Sequence, residues 1–246
     1  MKYTIALALC ILLFPQCHPA YNVQPTGTYD TLGIHWTWVK GTNIDYYFED
    51  FSQQSGYATQ FVNLHEAAYT QLNAIFDAQL PQKLRFFVWT DTALAAQLLG
   101  SPLGFTDQLH CTVYTRPDET IGHLMTFGLS YWAWGRTPTA ITTFVNEGLG
   151  TAFDLTNTNR IEAAKAALSG QNIQSVTDLW TGSYQNAPEE VLFPIAAAFI
   201  NYLYQQNQPA RFDSLIMNQT MISAQNIYGT ARLDSLIANF NSLIGL

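Results

Sequence analysis

The chain has 246 residues, 48% of them hydrophobic and only 11% charged, which is enough apolar material for a sizeable core within one domain. Its formal net charge is −8 and its sequence pI is about 4.9. An acidic chain without clusters of Lys and Arg excludes nucleic acid as a partner, because phosphates need a basic surface.

Residues 1–16 have the layout of an export signal. Lys2 supplies a positive start, and Ile5 to Phe14 is an apolar run of ten residues, too short to span a bilayer. Cys17 follows in Leu13-Phe14-Pro15-Gln16-Cys17, an order that resembles a bacterial lipoprotein signal, whose Cys becomes the lipidated N-terminus. Gln16 stands where a small residue is usual, so plain secretion stays open beside a lipid anchor. With Cys10 in the signal and Cys17 acylated, Cys111 stands alone and is expected as a buried thiol on a strand face. Residues 17–30, with Pro19, Pro25 and Gly27, read as a tether, and 31–246 as a single domain.

Within that domain, residues 31–116 alternate between strands and helices. Ile34, Trp36 and Trp38 alternate with polar or smaller residues over 33–40, and Ile44, Tyr46 and Phe48 do so over 44–49. The two runs predict a hairpin around Gly41-Thr42-Asn43. Apolar positions 57, 61, 64, 68, 72, 75 and 76 have a helical period, predicting a helix over 57–78. Leu84–Trp89 predicts a third strand, and 91–99 a short helix capped by Thr90 or Asp91. A strand is expected over 109–115, with Leu109, Cys111 and Val113 on one face. Pro117-Asp118 is expected to open the helix carrying His123. Residues 117–246 are predicted helical, over 141–154, 159–169, 189–206, 209–217 and 232–244. The expected class is α+β: a small, mostly antiparallel sheet packed on helices, followed by a helical C-terminal part.

The chemistry concentrates between His123 and Glu147. The chain reads Gly122-His123-Leu124-Met125-Thr126-Phe127, then Tyr131-Trp132-Ala133-Trp134-Gly135, then Phe144-Val145-Asn146-Glu147-Gly148-Leu149-Gly150. This layout, within the element order of 44–244, resembles a peptidase MA-like domain, the gluzincin type of zinc metallopeptidase. The resemblance implies a zincin-like fold, with His123 as first zinc ligand and Glu147, 24 residues on, as the ligand from the following helix. The H-E-x-x-H motif is degenerate. A zincin needs two His at i and i+4 on one helical face and a Glu at i+1 to take a proton from the metal-bound water. Here Leu124 occupies the catalytic Glu position and Phe127 the second His position. Neither can ligate or act as a base, so zinc is doubtful as a cofactor and catalysis is not expected.

Three other constellations belong beside this one. If His123 is taken as the second His, Glu119 falls at i, and Glu119, His123 and Glu147 form an alternative metal set that would leave a zinc-dependent hydrolase open. His65-Glu66-Ala67-Ala68-Tyr69 begins like the zincin motif but ends on Tyr69, and is expected to be a solvated helix face. Tyr131, Trp132 and Trp134 are candidates to line a binding cleft. No G-x-S-x-G elbow, phosphate loop or C-x-x-C pair occurs. The expectation is therefore an exported, cell-envelope or secreted protein without catalysis. It would bind a peptide, a glycan or an envelope protein through the former active-site cleft, and meet the membrane only through Cys17.

Overall fold

The computed structural model describes residues 23–49, 51–100, 104–117, 120–134, 138–156, 159–182 and 185–246. The signal region and Cys17 lie outside them, as does Glu119.

One mixed sheet of six strands forms the first layer: β1 (Gly27–Thr31), β2 (Ile34–Lys40), β3 (Ile44–Phe48), β4 (Leu84–Val88), β5 (Phe105–Asp107) and β6 (Thr112–Thr115). Their spatial order is β1-β2-β3-β4-β6-β5. The pairs β1–β2, β2–β3 and β5–β6 are antiparallel, and β3–β4 and β4–β6 are parallel. Each parallel pair needs a crossover. The first crossover contains α1 (Phe51–Phe76), and the second contains α2 (Thr92–Leu99) and β5. The fold is α+β, with a mostly antiparallel sheet and a helical C-terminal part.

Because side chains alternate across a strand, each strand serves two faces. Ile44, Tyr46 and Phe48, Leu84, Phe86 and Val88, and Val113 point inward and are buried with Phe61, Val62, Ala68 and Leu72 of α1. The outer face carries an aromatic row held in register, Phe105–Tyr114–Phe87–Tyr47–Trp38. The rings of Tyr47 and Phe87 stack 4.5 Å apart, and those of Phe105 and Tyr114 4.7 Å apart. Asp91 caps α2 by accepting from the Ala93 and Leu94 amides, and Gly100 ends it at φ 73°, the left-handed conformation that a C-terminal glycine tolerates.

The helical part comprises α3 (His123–Trp134), α4 (Thr143–Ala152), α5 (Arg160–Leu168), α6 (Val176–Gly182), α7 (Glu189–Tyr204), α8 (Pro209–Met217), α9 (Met221–Tyr228) and α10 (Thr230–Ile244). Helix α7 is buried along most of its length, through Leu192, Ile195 to Ile200 and Leu203. Among the described residues no helix is long and apolar enough to cross a membrane.

Several expectations need correction. Residues 23–30, expected within a tether, belong to the fold, since Gly27–Thr31 pair with β2 and Val23 is buried. The strand expected over 109–115 begins only at Thr112. Leu109 is exposed, and Cys111 sits in a turn at φ 50°, although it is buried and free. Helix α3 begins at His123, with 120–122 outside it. Glu119, the other member of the alternative metal set, lies outside the described residues. His65 is not on a solvated face but 3% exposed. Its Nδ1 lies 2.8 Å from the Phe61 carbonyl and its ring stacks on Phe61 at 3.8 Å. Burial pushes its pKa down to about 4, against the smaller opposing effects of the Phe61 carbonyl and the Asp154 charge.

Candidate functional site

Three fastenings bring α3 and α4 together. Thr106 of β5 donates to the Leu124 carbonyl at 2.7 Å, and Gln108 donates to the Phe127 carbonyl at 3.2 Å, so the first turns of α3 hang from the sheet edge. The start of α4 is held by buried Gln219. Its side-chain oxygen accepts from the Thr142 amide at 2.9 Å, and its carbonyl accepts from the Trp180 indole at 2.7 Å and the Thr142 hydroxyl at 3.2 Å. Thr142 itself caps α4 at the Val145 amide. Along α4, Gly148 allows close packing on α7. A Cβ there would lie 2.9 Å from Ile200 Cγ1 and 3.1 Å from the Ala196 main-chain carbon.

These fastenings place His123 Nε2 3.3 Å from Glu147 Oε2. The other face of the imidazole edge meets Thr151, one turn beyond Glu147, with Oγ1 3.4 Å from Nδ1. The imidazole thus stands between the Glu147 carboxylate at Nε2 and the Thr151 hydroxyl at Nδ1. The second Glu147 oxygen accepts from Asn146 Nδ2 at 3.1 Å. Gly150 makes room for the ring, since a Cβ there would come within 2.7 Å of Nε2. Phe127, at the position of the second zincin His, packs edge-on against the His123 ring with centroids 5.1 Å apart.

The pair faces a cavity of about 660 Å³. Gly104, Phe105, Leu124, Phe127, Phe193, Pro194 and Ala197 give it apolar walls, and Arg116, Asp154, Arg160 and Glu189 supply charge around His123 and Glu147. Asp154 is 3% exposed, and its Oδ1 accepts from the Thr156 amide and hydroxyl at 2.7 and 2.6 Å. Arg160 is 7% exposed and donates to the Asp154 main-chain carbonyl.

Of the residues singled out from sequence, His123, Leu124, Phe127 and Glu147 all line this cavity. Tyr131, Trp132 and Trp134 are not among its lining residues. Tyr131 and Trp134 border a separate crevice of about 20 Å³, and the Trp132 indole donates to the Gln108 carbonyl at 3.0 Å. Sequence reasoning missed Thr151, Asp154, Arg160 and Phe193. For Thr151 a signal existed, its spacing of one helical turn from Glu147.

Among the described residues the donor set falls one short of a catalytic zinc site. Such a site takes three protein ligands and keeps one position open, and His123 and Glu147 supply two. Among the described residues no group of three His, Cys, Asp or Glu is arranged to hold a metal ion.

No family model, curated protein or solved structure matches the chain.

Proposed function

We propose that this is a peptide-binding protein on a metallopeptidase-like frame, holding its ligand in the cleft beneath β5 without cleaving it. The observation that carries the reading is the His123–Glu147 contact at the wall of a cavity of about 660 Å³. By the resemblance, the two groups that would share a metal in a gluzincin lie against each other here, and Leu124 and Phe127 present hydrocarbon where the base and the remaining ligand would stand. The cavity falls within the range of about 300–1,000 Å³ typical of ligand sites. Its rim includes β5, the edge strand of the sheet, whose outer side has no strand partner among the described residues. An extended peptide suits such an edge, because main-chain pairing supplies affinity and the apolar wall takes a side chain. The aromatic cluster at 131–134 does not line this cavity, so it does not supply there the flat aromatic platform that a sugar ring stacks on, which favours a peptide over a glycan. We further place the protein outside the cytoplasm, anchored through Cys17 or secreted, on the strength of Lys2, the apolar run 5–14 and Cys17.

Incubation of the purified protein with a pool of synthetic heptapeptides, followed by mass spectrometry of the bound and free fractions, tests the reading. Retained peptides should be recovered intact, and Thr151→Trp, which fills the cavity from α4, should abolish retention. Cleaved products, or retention indifferent to Thr151→Trp, would overturn it.

A further inference from the structure

Arg116 and Arg160 face Glu147, Asp154 and Glu189 around the cavity, and Arg160 is the buried cation of this set. Its guanidinium is buried, and among the described residues the acceptor it meets is the main-chain carbonyl of Asp154, a neutral group. Asp154 is close enough to act on Arg160 electrostatically, but its Oδ1 is engaged by Thr156. Among the described residues no carboxylate oxygen comes within ion-pair distance of the guanidinium. Of the other acids at the cavity, Glu147 is committed to His123 and Asn146, and Glu189 is exposed at the first turn of α7. Burial lowers the Arg160 pKa, and the Asp154 charge only opposes that effect. A buried cation without a contact counter-ion is costly, and the cost falls when an anion arrives.

We propose that Arg160 seats a carboxylate of the ligand, so that the cleft selects peptides with an acidic group beside an apolar one. This rests on the peptide-binding reading above. The planar guanidinium fork can hold a carboxylate through two parallel hydrogen bonds, which a lysine cannot reproduce. Phe105, Leu124, Phe127 and Phe193 line the same cavity and receive the apolar neighbour. The chemistry is the same whether the carboxylate is a peptide C-terminus or an acidic side chain.

The test uses the full chain and two probes that contain no peptide bond between residues, 3-phenylpropionate and 3-phenylpropanamide. Binding is followed through the NMR resonances of Leu124 and Phe127. The acid should bind about tenfold or more tightly than the amide, the size of one charge-assisted contact. Arg160→Gln should erase the preference and Arg160→Lys should keep part of it, with thermal unfolding showing that both variants fold. Equal binding of acid and amide, a preference that survives in Arg160→Gln, or no response to either probe overturns the carboxylate seat. The heptapeptide experiment reads the cleft itself independently, so the two failures are distinguishable. Among retained peptides, loss of binding on C-terminal amidation assigns the chain terminus, and loss on Glu→Gln exchange assigns a side chain. Loss on neither counts against the seat.

Discussion

His65 gives the sharpest quantitative prediction. Its ring is sandwiched between Phe61 and Phe86, with centroids 3.8 and 5.2 Å away, and burial holds its pKa at about 4. In the unfolded chain the value returns to the usual range of about 6.5. The folded value is the lower one, so the unfolded state takes up a proton first as the pH falls. The stability is fully present above about pH 6.5, declines between there and about pH 4, and is level below that. The whole loss is about 3 kcal/mol, of which about 2 kcal/mol falls between pH 7.5 and pH 5. Urea unfolding across that range should show this slope in the wild type. His65→Leu should be flatter by about 2 kcal/mol over the same interval. Every other ionisable group is common to the two proteins, so the difference isolates His65. Equal slopes in the two proteins would refute the burial argument.

The glycines of α4 separate two kinds of crowding. Gly148→Ala drives a methyl towards the Ala196 main chain, which cannot yield, and should cost about 1–3 kcal/mol in denaturant unfolding. Gly150→Ala meets the movable His123 ring first, so its stability cost should be smaller, with a displaced ring signal in the NMR spectrum. Glu66 accepts from the Asn43 amide and side chain and the Ile44 amide at 3.0–3.2 Å, pinning the β2–β3 turn to α1. Glu66→Ala should cost about 2 kcal/mol and raise amide exchange at Asn43 and Ile44. Gln219→Ala leaves the Thr142 amide without its partner in a buried site and should cost about 2–4 kcal/mol. An unfolding midpoint unchanged from wild type would show that Gln219 does not hold the start of α4.

The parts of the fold legible in sequence are those with a sustained period. The strands around Trp36, Tyr46 and Phe86 alternate, and α7 and α8 are bounded by their own apolar runs and by Pro209. β5 escaped because Phe105-Thr106-Asp107 is too short to display a period, and β1 because Pro25 and Gly27 resemble a linker. On α1 the apolar stripe misled by one residue. Leu64 carries the expected character yet is exposed, whereas His65, four residues after Phe61 and three before Ala68, lies on the buried face. The closeness of His123 and Glu147 was suggested only by the resemblance to gluzincins, since a separation of 24 residues across two helices carries no period of its own. The start of α3 was not legible, because Pro117 is a common first helical residue but here precedes a non-helical link through 120–122. Arg160 and Asp154 had no signal at all, since a buried charge beside a loop leaves no pattern in the residues around it.

The central claim, that the cleft binds without metal chemistry, is tested most directly by zinc titration of the purified protein in a calorimeter, with Glu147→Ala alongside. The account predicts no stoichiometric zinc binding at micromolar concentrations in either protein. One zinc per chain, lost in Glu147→Ala and accompanied by peptide cleavage, would contradict it.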